Sequence, residues 1–227
     1  MVTAGEFAAI LGPNGSGKTT LLRMALGLLK PTHGEVLLFG TRADKFHDWE
    51  KVGYVPQRVE GLETRFPATV SEVVAQGRYF GLDPLRLFRR RDRGPVDHAL
   101  ETCGIPTLAD RRVSSLSVGQ QQRMLIARAL VRRPAIMFMD EPVAGVDAAG
   151  REQFHTLIRR LNKDLGITIV LVSHDIGAVM REATTVACIN RELVFHGPVH
   201  ELTSDALARL YGFPVDVMLH DAKHTHR

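Results

Sequence analysis

The stretch Gly5–Leu29, GEFAAILGPNGSGKTTLLRMALGLL, decides the fold. Its apolar run Phe7–Leu11 is short and bounded by glycines, as a buried strand is. Thr19–Leu29 carries apolar residues at helical spacing. Between them stand glycines at 12, 15 and 17, followed by Lys18 and Thr19, which is the phosphate-loop pattern. Such glycines let the chain turn so that its N–H groups point inward at phosphate oxygens, and the following helix adds its positive end. The spacing predicts that Gly12, Pro13, Asn14, Gly15, Ser16, Gly17, Lys18, Thr19 and Thr20 cradle ATP. Lys18 would reach the β- and γ-phosphates, and the Thr19 hydroxyl would ligate Mg²⁺. A glycine-rich turn with a surface lysine is the plainer alternative, weakened by the strand before it and the helix after it.

Outward from this unit the pattern alternates. EVLLFG (residues 35–40) and VGYVP (52–56) read as strands, the second ending at Gln57. From Thr69 to Pro106 the pattern turns helical, and a helix beginning at Ser117 runs to about Arg133. AIMFMD (135–140) and ITIVLV (167–172) read as core strands around the helix Ala148–Gly166. DIGAVMREA (175–183) reads as a helix, and TTVACIN and ELVFHG as closing strands. The expectation is an α/β, P-loop nucleotide-binding core with a mostly parallel sheet and an inserted helical subdomain. The core would take residues 1–68 and 134–212, the helical lobe 69–133, and a histidine-containing tail 213–227, all within a single domain 1–227.

The totals fit that reading. A chain of 227 residues, 44% hydrophobic and 24% charged, suffices for one α/β domain with a real core. Its net charge of +4 suits anionic ligands or a membrane surface but is too weak to argue for nucleic acid. Cys103 and Cys188 have neither metal spacing nor a disulfide framework. MVTAGEFAAI lacks a signal peptide's basic and apolar regions. Apolar runs fall far short of the roughly 20 residues that span a bilayer. A membrane role is therefore expected to come through a partner.

Asp140 and Glu141 close the run AIMFM. An aspartate at the tip of a buried strand can hold Mg²⁺, and the next glutamate can orient and deprotonate the attacking water. Gln57 could add an amide oxygen to the metal or its water. His174, at the end of another strand, could bond the γ-phosphate and steady Glu141; a lone histidine there is also commonly structural. SLSVGQQQR (115–123) opens a helix at Ser117, a good N-cap, leaving free N–H groups at Val118, Gly119 and Gln120. That makes a second γ-phosphate site on one chain. The economical reading is service to another molecule's nucleotide, with two chains packed head to tail around two ATP.

These motifs, in order GPNGSGKT, Gln57, LSVGQ, IMFMDE, AGVD with Asp147 and SHD with His174, resemble the ATP-binding subunits of ABC transporters over nearly the whole chain. The resemblance implies that Ser117 and Gly119 contact the opposite chain's γ-phosphate, that Asp147 lies at the dimer seam, and that integral membrane permease subunits are partners. It also implies a peripheral place on the cytoplasmic face of the cell membrane. Val118 stands where the family's signature has its first glycine, and Val143 where a threonine is common. Family members have about two dozen further residues before GEFAAIL, including an aromatic that stacks on adenine. The expectation is a truncated or misassigned start and weaker ATP binding, the missing contact being worth about 0.5–1.5 kcal/mol.

FPATVSEVVAQGRYFGL, DEPVAGVD and ACINRELVFHG are similar to the zinc/manganese importer branch, which implies uptake of a divalent metal and an extracytoplasmic metal-binding protein. An importer for another solute such as an iron chelate is the alternative. A nucleic-acid-associated relative would carry long coiled coils or two cassettes, and this sequence has neither. The tail offers His220, Asp221, His224 and His226 as a loose Zn²⁺ site or as a plain polar terminus. The basic run Arg86–Arg93 could meet a membrane partner or lipid headgroups, or serve as a solvated helix face.

Overall fold

The computed structural model describes residues 1–57, 67–78, 93–143 and 146–213. The tail histidines and all of the basic run except Arg93 lie outside the described residues. The element order is β1 (Phe7–Leu11), α1 (Lys18–Ala25), β2 (Leu37–Leu38), β3 (Thr41–Arg42), β4 (Val52–Val55), α2 (Val70–Gln76), α3 (Arg93–Thr102) and α4 (Val118–Leu130). It continues with β5 (Ile136–Asp140), α5 (Ala148–Lys163), β6 (Thr168–Ser173), α6 (Ile176–Glu182), β7 (Thr185–Asn190), β8 (Glu192–Pro198) and α7 (Ser204–Tyr211).

Six strands form one sheet in the order β4-β5-β6-β1-β7-β8, parallel except for the β7–β8 pair. Every residue of β1 and β6 is buried, which is why FAAIL and TIVLVS read as unbroken runs rather than alternating ones. Register brings the strand ends level: Leu11 pairs with Ser173, Asp140 with Val172 and Val55 with Met139. The residues that follow β1, β4, β5 and β6 therefore emerge at one rim of the sheet.

On one side, α2, α3 and α4 pack together through Val70, Val74, Leu100, Met124 and Ile126. The same apolar cluster continues into Met137, Met139 and Ile169 of the sheet and Phe154 and Ile158 of α5. A second cluster joins β1 and β7 to Leu207 and Leu210 of α7, and a third lies between α1 and the sheet. The division into a core of 1–68 and 134–212 with a lobe of 69–133 stands as our proposal.

Three local expectations change. EVLLFG supplies only the two-residue strand β2, paired antiparallel with β3 and outside the main sheet. The reason is the turn: Phe39 (φ 50°) and Gly40 (φ 78°) both take the left-handed backbone of a two-residue hairpin. Helix α1 ends at Ala25 rather than Leu29, because the chain turns left-handed at Gly27 (φ 67°). Helix α7, capped by Thr203, was not anticipated.

His155, on the buried face of α5, is enclosed with no hydrogen-bond partner for Nδ1 and meets Phe154 edge-on at 5.4 Å. Burial lowers its pKa below the ordinary histidine value, although Glu182 and Asp175 pull the other way. The unfolded chain then binds a proton more readily than the folded one. This contribution to stability is complete above about pH 6.5 and is lost as pH falls toward the depressed folded value. His155→Leu should flatten the fall in melting temperature between pH 7.5 and 5, which thermal melts at several pH values would measure.

Candidate nucleotide site

The phosphate loop leaves β1 at Leu11, at the centre of the sheet, and feeds α1. Gly15 (φ 76°) and Gly17 (φ 102°) take left-handed backbone with open space where a side chain would stand. Gly12 is fixed for a different reason: a Cβ there would lie 2.1 Å from the Ile189 carbonyl oxygen. The loop is braced from the β7–β8 turn, where the Arg191 N–H donates to the Ser16 carbonyl at 2.9 Å. Ser16 Oγ is buried and unpartnered.

Lys18 is only 5% exposed, and its ammonium donates to the carbonyls of Gly12 at 2.8 Å and Pro13 at 3.0 Å. It also faces Glu141 Oε1 at 3.7 Å. The other carboxylate oxygen, Oε2, accepts from Gln57 Nε2 at 3.2 Å and lies 3.4 Å from His174 Nδ1. Beside this group the Thr19 hydroxyl donates to Asp140 Oδ1 at 3.4 Å. Lys18, Thr19, Gln57, Asp140, Glu141 and His174, read from four separate segments, thus meet at one rim. Gln57 enters through Glu141, with its amide nitrogen turned to the carboxylate.

The arrangement suits nucleotide chemistry. Glycine-shaped backbone, a buried cation and an orphaned hydroxyl fit phosphate oxygens. The paired oxygens of Thr19 and Asp140 fit a hard divalent cation such as Mg²⁺. Asp140 is buried, and burial foremost raises its pKa, with Glu141 adding to the rise while the Thr19 bond, Lys18 and Arg23 oppose it. A cation at this carboxylate would remove that penalty.

The serine turn that the sequence offers as a second phosphate site lies elsewhere on the chain. Ser117 caps α4 by accepting from the Gln120 N–H at 3.3 Å, while Gln120 Oε1 accepts from the Ser117 N–H at 3.0 Å. This reciprocal capping box is the physical content of the serine and glutamine in LSVGQ. Gly119 is open toward solvent, a Cβ there meeting only Val146 at 4.0 Å. Asp147 caps α5, accepting from the Gly150 N–H at 2.8 Å. Among the described residues, no hydrogen bond or ion pair joins Ser117, Gly119 or Gln120 to the phosphate-loop group.

The sequence model of the ABC transporter family matches residues 1–144. The zinc uptake system ATP-binding protein ZurA of Listeria monocytogenes is 40% identical over 200 residues, 88% of this chain and 78% of that protein. A structure described as an inward-facing conformation of a putative metal-chelate type ABC transporter superposes with a TM-score of 0.80 at 29% identity. The match covers 94% of this chain and 81% of that one. A bacterial ABC transporter cassette solved in dimeric form gives a TM-score of 0.70 at 28% identity, covering 89% of each chain. The chain belongs to the ABC transporter family. It is an ATP-binding cassette and an ATPase.

Some features of the cassette were not legible beforehand. Glu141 has left-handed backbone (φ 42°), a conformation that costs a non-glycine residue roughly 1–3 kcal/mol. Its N–H is anchored to the Val172 carbonyl at 3.0 Å, so the strain is held by the sheet rim. Arg23 and Tyr54 both stand within electrostatic reach of Asp140, and burial together with that carboxylate raises the Tyr54 phenol. The braces at Ile189 and Arg191 carry no sequence signal at all. The cysteines are inert as nucleophiles: burial pushes Cys103 up to about 12 and Cys188 to about 11. Among the described residues, no helix is long and apolar enough to cross a membrane, and no cluster of three His, Cys, Asp or Glu could hold a metal.

The two kinds of loop glycine should separate on substitution. Gly12→Ala forces backbone apart and should cost about 3 kcal/mol, whereas Gly15→Ala meets open space and pays only about 1–2 kcal/mol of left-handed strain. Denaturant titration of both variants checks this order.

Proposed function

We propose that this cassette works as one of a pair that closes on two ATP molecules and drives uptake of a divalent metal ion, zinc or manganese, through a separate membrane permease. The observation that carries the pairing is the separation just described. One chain holds two turns suited to phosphate, the loop at Gly12–Thr20 and the capped turn at Ser117–Gln120, and among the described residues no hydrogen bond or ion pair joins them. A second copy, head to tail, supplies each nucleotide with both. The dimeric cassette structure supports this, as does the position of Asp147 at a helix cap beside the signature turn.

In this reading the backbone of Gly12, Pro13, Asn14, Gly15, Ser16 and Gly17, with the start of α1 at Thr19 and Thr20, encloses the phosphates. Lys18 exchanges the carbonyls of Gly12 and Pro13 for β- and γ-phosphate oxygens. Thr19 and Asp140, with Gln57 at their margin, would hold Mg²⁺, which neutralises charge on the phosphates when bound. Glu141 orients the attacking water and takes its proton, and the left-handed backbone at its Cα aims the carboxylate into the rim. His174, 60% exposed and turned to Glu141 Oε2, steadies that carboxylate and faces the γ-phosphate. Lys18, the loop amides and the partner's Ser117 and Gly119 act on charge that grows in the transition state. Closure depends on a γ-phosphate that bridges both chains, so hydrolysis reopens the pair.

The metal cargo rests on the similarity to the zinc uptake subunit of Listeria and on the branch-like sequence segments 66–82, 140–147 and 187–197. With it come permease partners, an extracytoplasmic metal-binding protein and a place at the cytoplasmic face of the membrane. The likeness to the putative metal-chelate transporter favours a second reading, an importer of an iron chelate.

Glu141→Gln should retain ATP binding, lose turnover by about 10²-fold or more, and run as an ATP-stabilised dimer on gel filtration; a monomer with ATP would refute the pairing. For the cargo, a chromosomal Lys18→Ala replacement in metal-poor medium should lower cellular zinc or manganese, rescued by adding that metal. Unchanged zinc and manganese with a fall in iron would decide for the chelate.

A further inference from the structure

Helices α4 and α5 face each other across a cavity of about 540 Å³ that opens at their two N-termini. Beyond the apolar cluster that the helices share, two approaches span the gap among the described residues. At the mouth, Val146 lies over Gly119: its Cγ1 is 4.0 Å from where a Gly119 side chain would begin and 2.5 Å from the same position of Gly150. Deeper in, the Arg123 guanidinium donates to Gln153 Oε1. Arg123 lies six residues beyond the cap Ser117, and Gln153 six beyond the cap Asp147. At 1.5 Å of rise per residue, the deeper contact sits about 9 Å from both caps, on each helix at the same depth.

We infer that the Arg123–Gln153 bridge is a positioning pair that sets the angle between α4 and α5, and so the spacing between the signature turn and Asp147 that a partner chain meets. The shared apolar cluster holds the two helices from Met124 and Phe154 onward, which leaves their first turns free to splay but for the approach of Val146 to Gly119. The second point removes that freedom. The guanidinium is itself located: Gly104, just past the C-terminus of α3, has left-handed backbone (φ 69°), and a Cβ there would come within 3.2 Å of Arg123 Nη1. A cation near a helix C-terminus is favoured by the negative end of the helix dipole. Arg123 thus ties the lobe to α5 from a fixed seat, and Gln153 is the movable end. No residue of the phosphate loop takes part, so one nucleotide bound to one chain should not sense the bridge.

The inference rests on the paired reading, and the experiment separates the two. In the Glu141→Gln background, the ATP concentration for half-dimerisation would be measured by gel filtration for the parent, Gln153→Leu and Gln153→Glu, with ADP affinity measured on each. Gln153 is exposed, and Gln153→Ala serves as a second variant if leucine lowers the melting temperature. Removing a hydrogen bond to a charged donor should raise the half-dimerisation concentration on the order of tenfold, leaving ADP affinity unchanged. Glutamate, which keeps an acceptor for Arg123, should restore the parent value. Dimerisation of Gln153→Leu at the parent's ATP concentration, a parallel loss of ADP affinity, or failure of glutamate to rescue would each overturn the bridge while the parent's dimer upholds the pairing. A parent that stays monomeric with ATP overturns the pairing and the bridge with it.

Discussion

A buried ammonium, held by one carboxylate and two backbone carbonyls, organises this molecule. Lys18 sits almost wholly out of solvent, where an unpaired charge would cost several kcal/mol. The chain meets that cost with two backbone carbonyls and one carboxylate, each supplied by a different constraint. The carbonyls of Gly12 and Pro13 are available because the loop is bent by glycines and cannot pair them in the sheet. The carboxylate of Glu141 is available because the backbone turns left-handed at the end of β5 and is pinned to Val172. Neutral carbonyls are weaker partners for an ammonium than phosphate oxygens, so Lys18 favours an incoming anion over its own backbone.

Sheet order explains why so many of the side chains proposed for catalysis reach one point. β6 lies between β1 and β5, so His174 emerges between the phosphate loop and Glu141. β4 lies on the far side of β5, and the pairing of Val55 with Met139 sets Gln57 beside Glu141. A one-residue slip in either pairing would turn these side chains to the opposite face. The buried runs of β5 and β6 hold that register, because a slip would exchange Met139 and Leu171 with Phe138 and Val170, which pack in a different cluster on the opposite face. Packing energy and catalytic geometry are thus supplied by the same pairings.

The helical side obeys a different economy. Its helices share one apolar cluster with the sheet, but the N-terminus of α4 meets α5 only across a cavity. Dense packing under the catalytic rim gives way to a few discrete contacts under the signature turn. In the proposed pair, a surface that meets another chain's nucleotide is better served by adjustable contacts than by a close-packed wall, which has no room to shift.

Much of this was legible in the sequence. The glycine spacing at 12, 15 and 17, the buried runs, the carboxylates at 140 and 141, and the serine cap at 117 each follow from a local rule: backbone freedom, burial, or the orphan N–H groups of a helix end. Those rules work because their cause lies within a few residues. Where the cause is distant, the sequence is silent. The clash that requires Gly12 comes from Ile189, the brace on Ser16 from Arg191, and the strain at Glu141 from Val172. EVLLFG has the composition of a sheet strand, but no neighbouring strand of the main sheet accepts it. Sequence alone determined which chemistry the chain carries and which elements bear it. Tertiary structure decided which side chains share a site, because register and sheet order are set by contacts between segments distant in the chain, more than a hundred residues for β1 with β6 and β7.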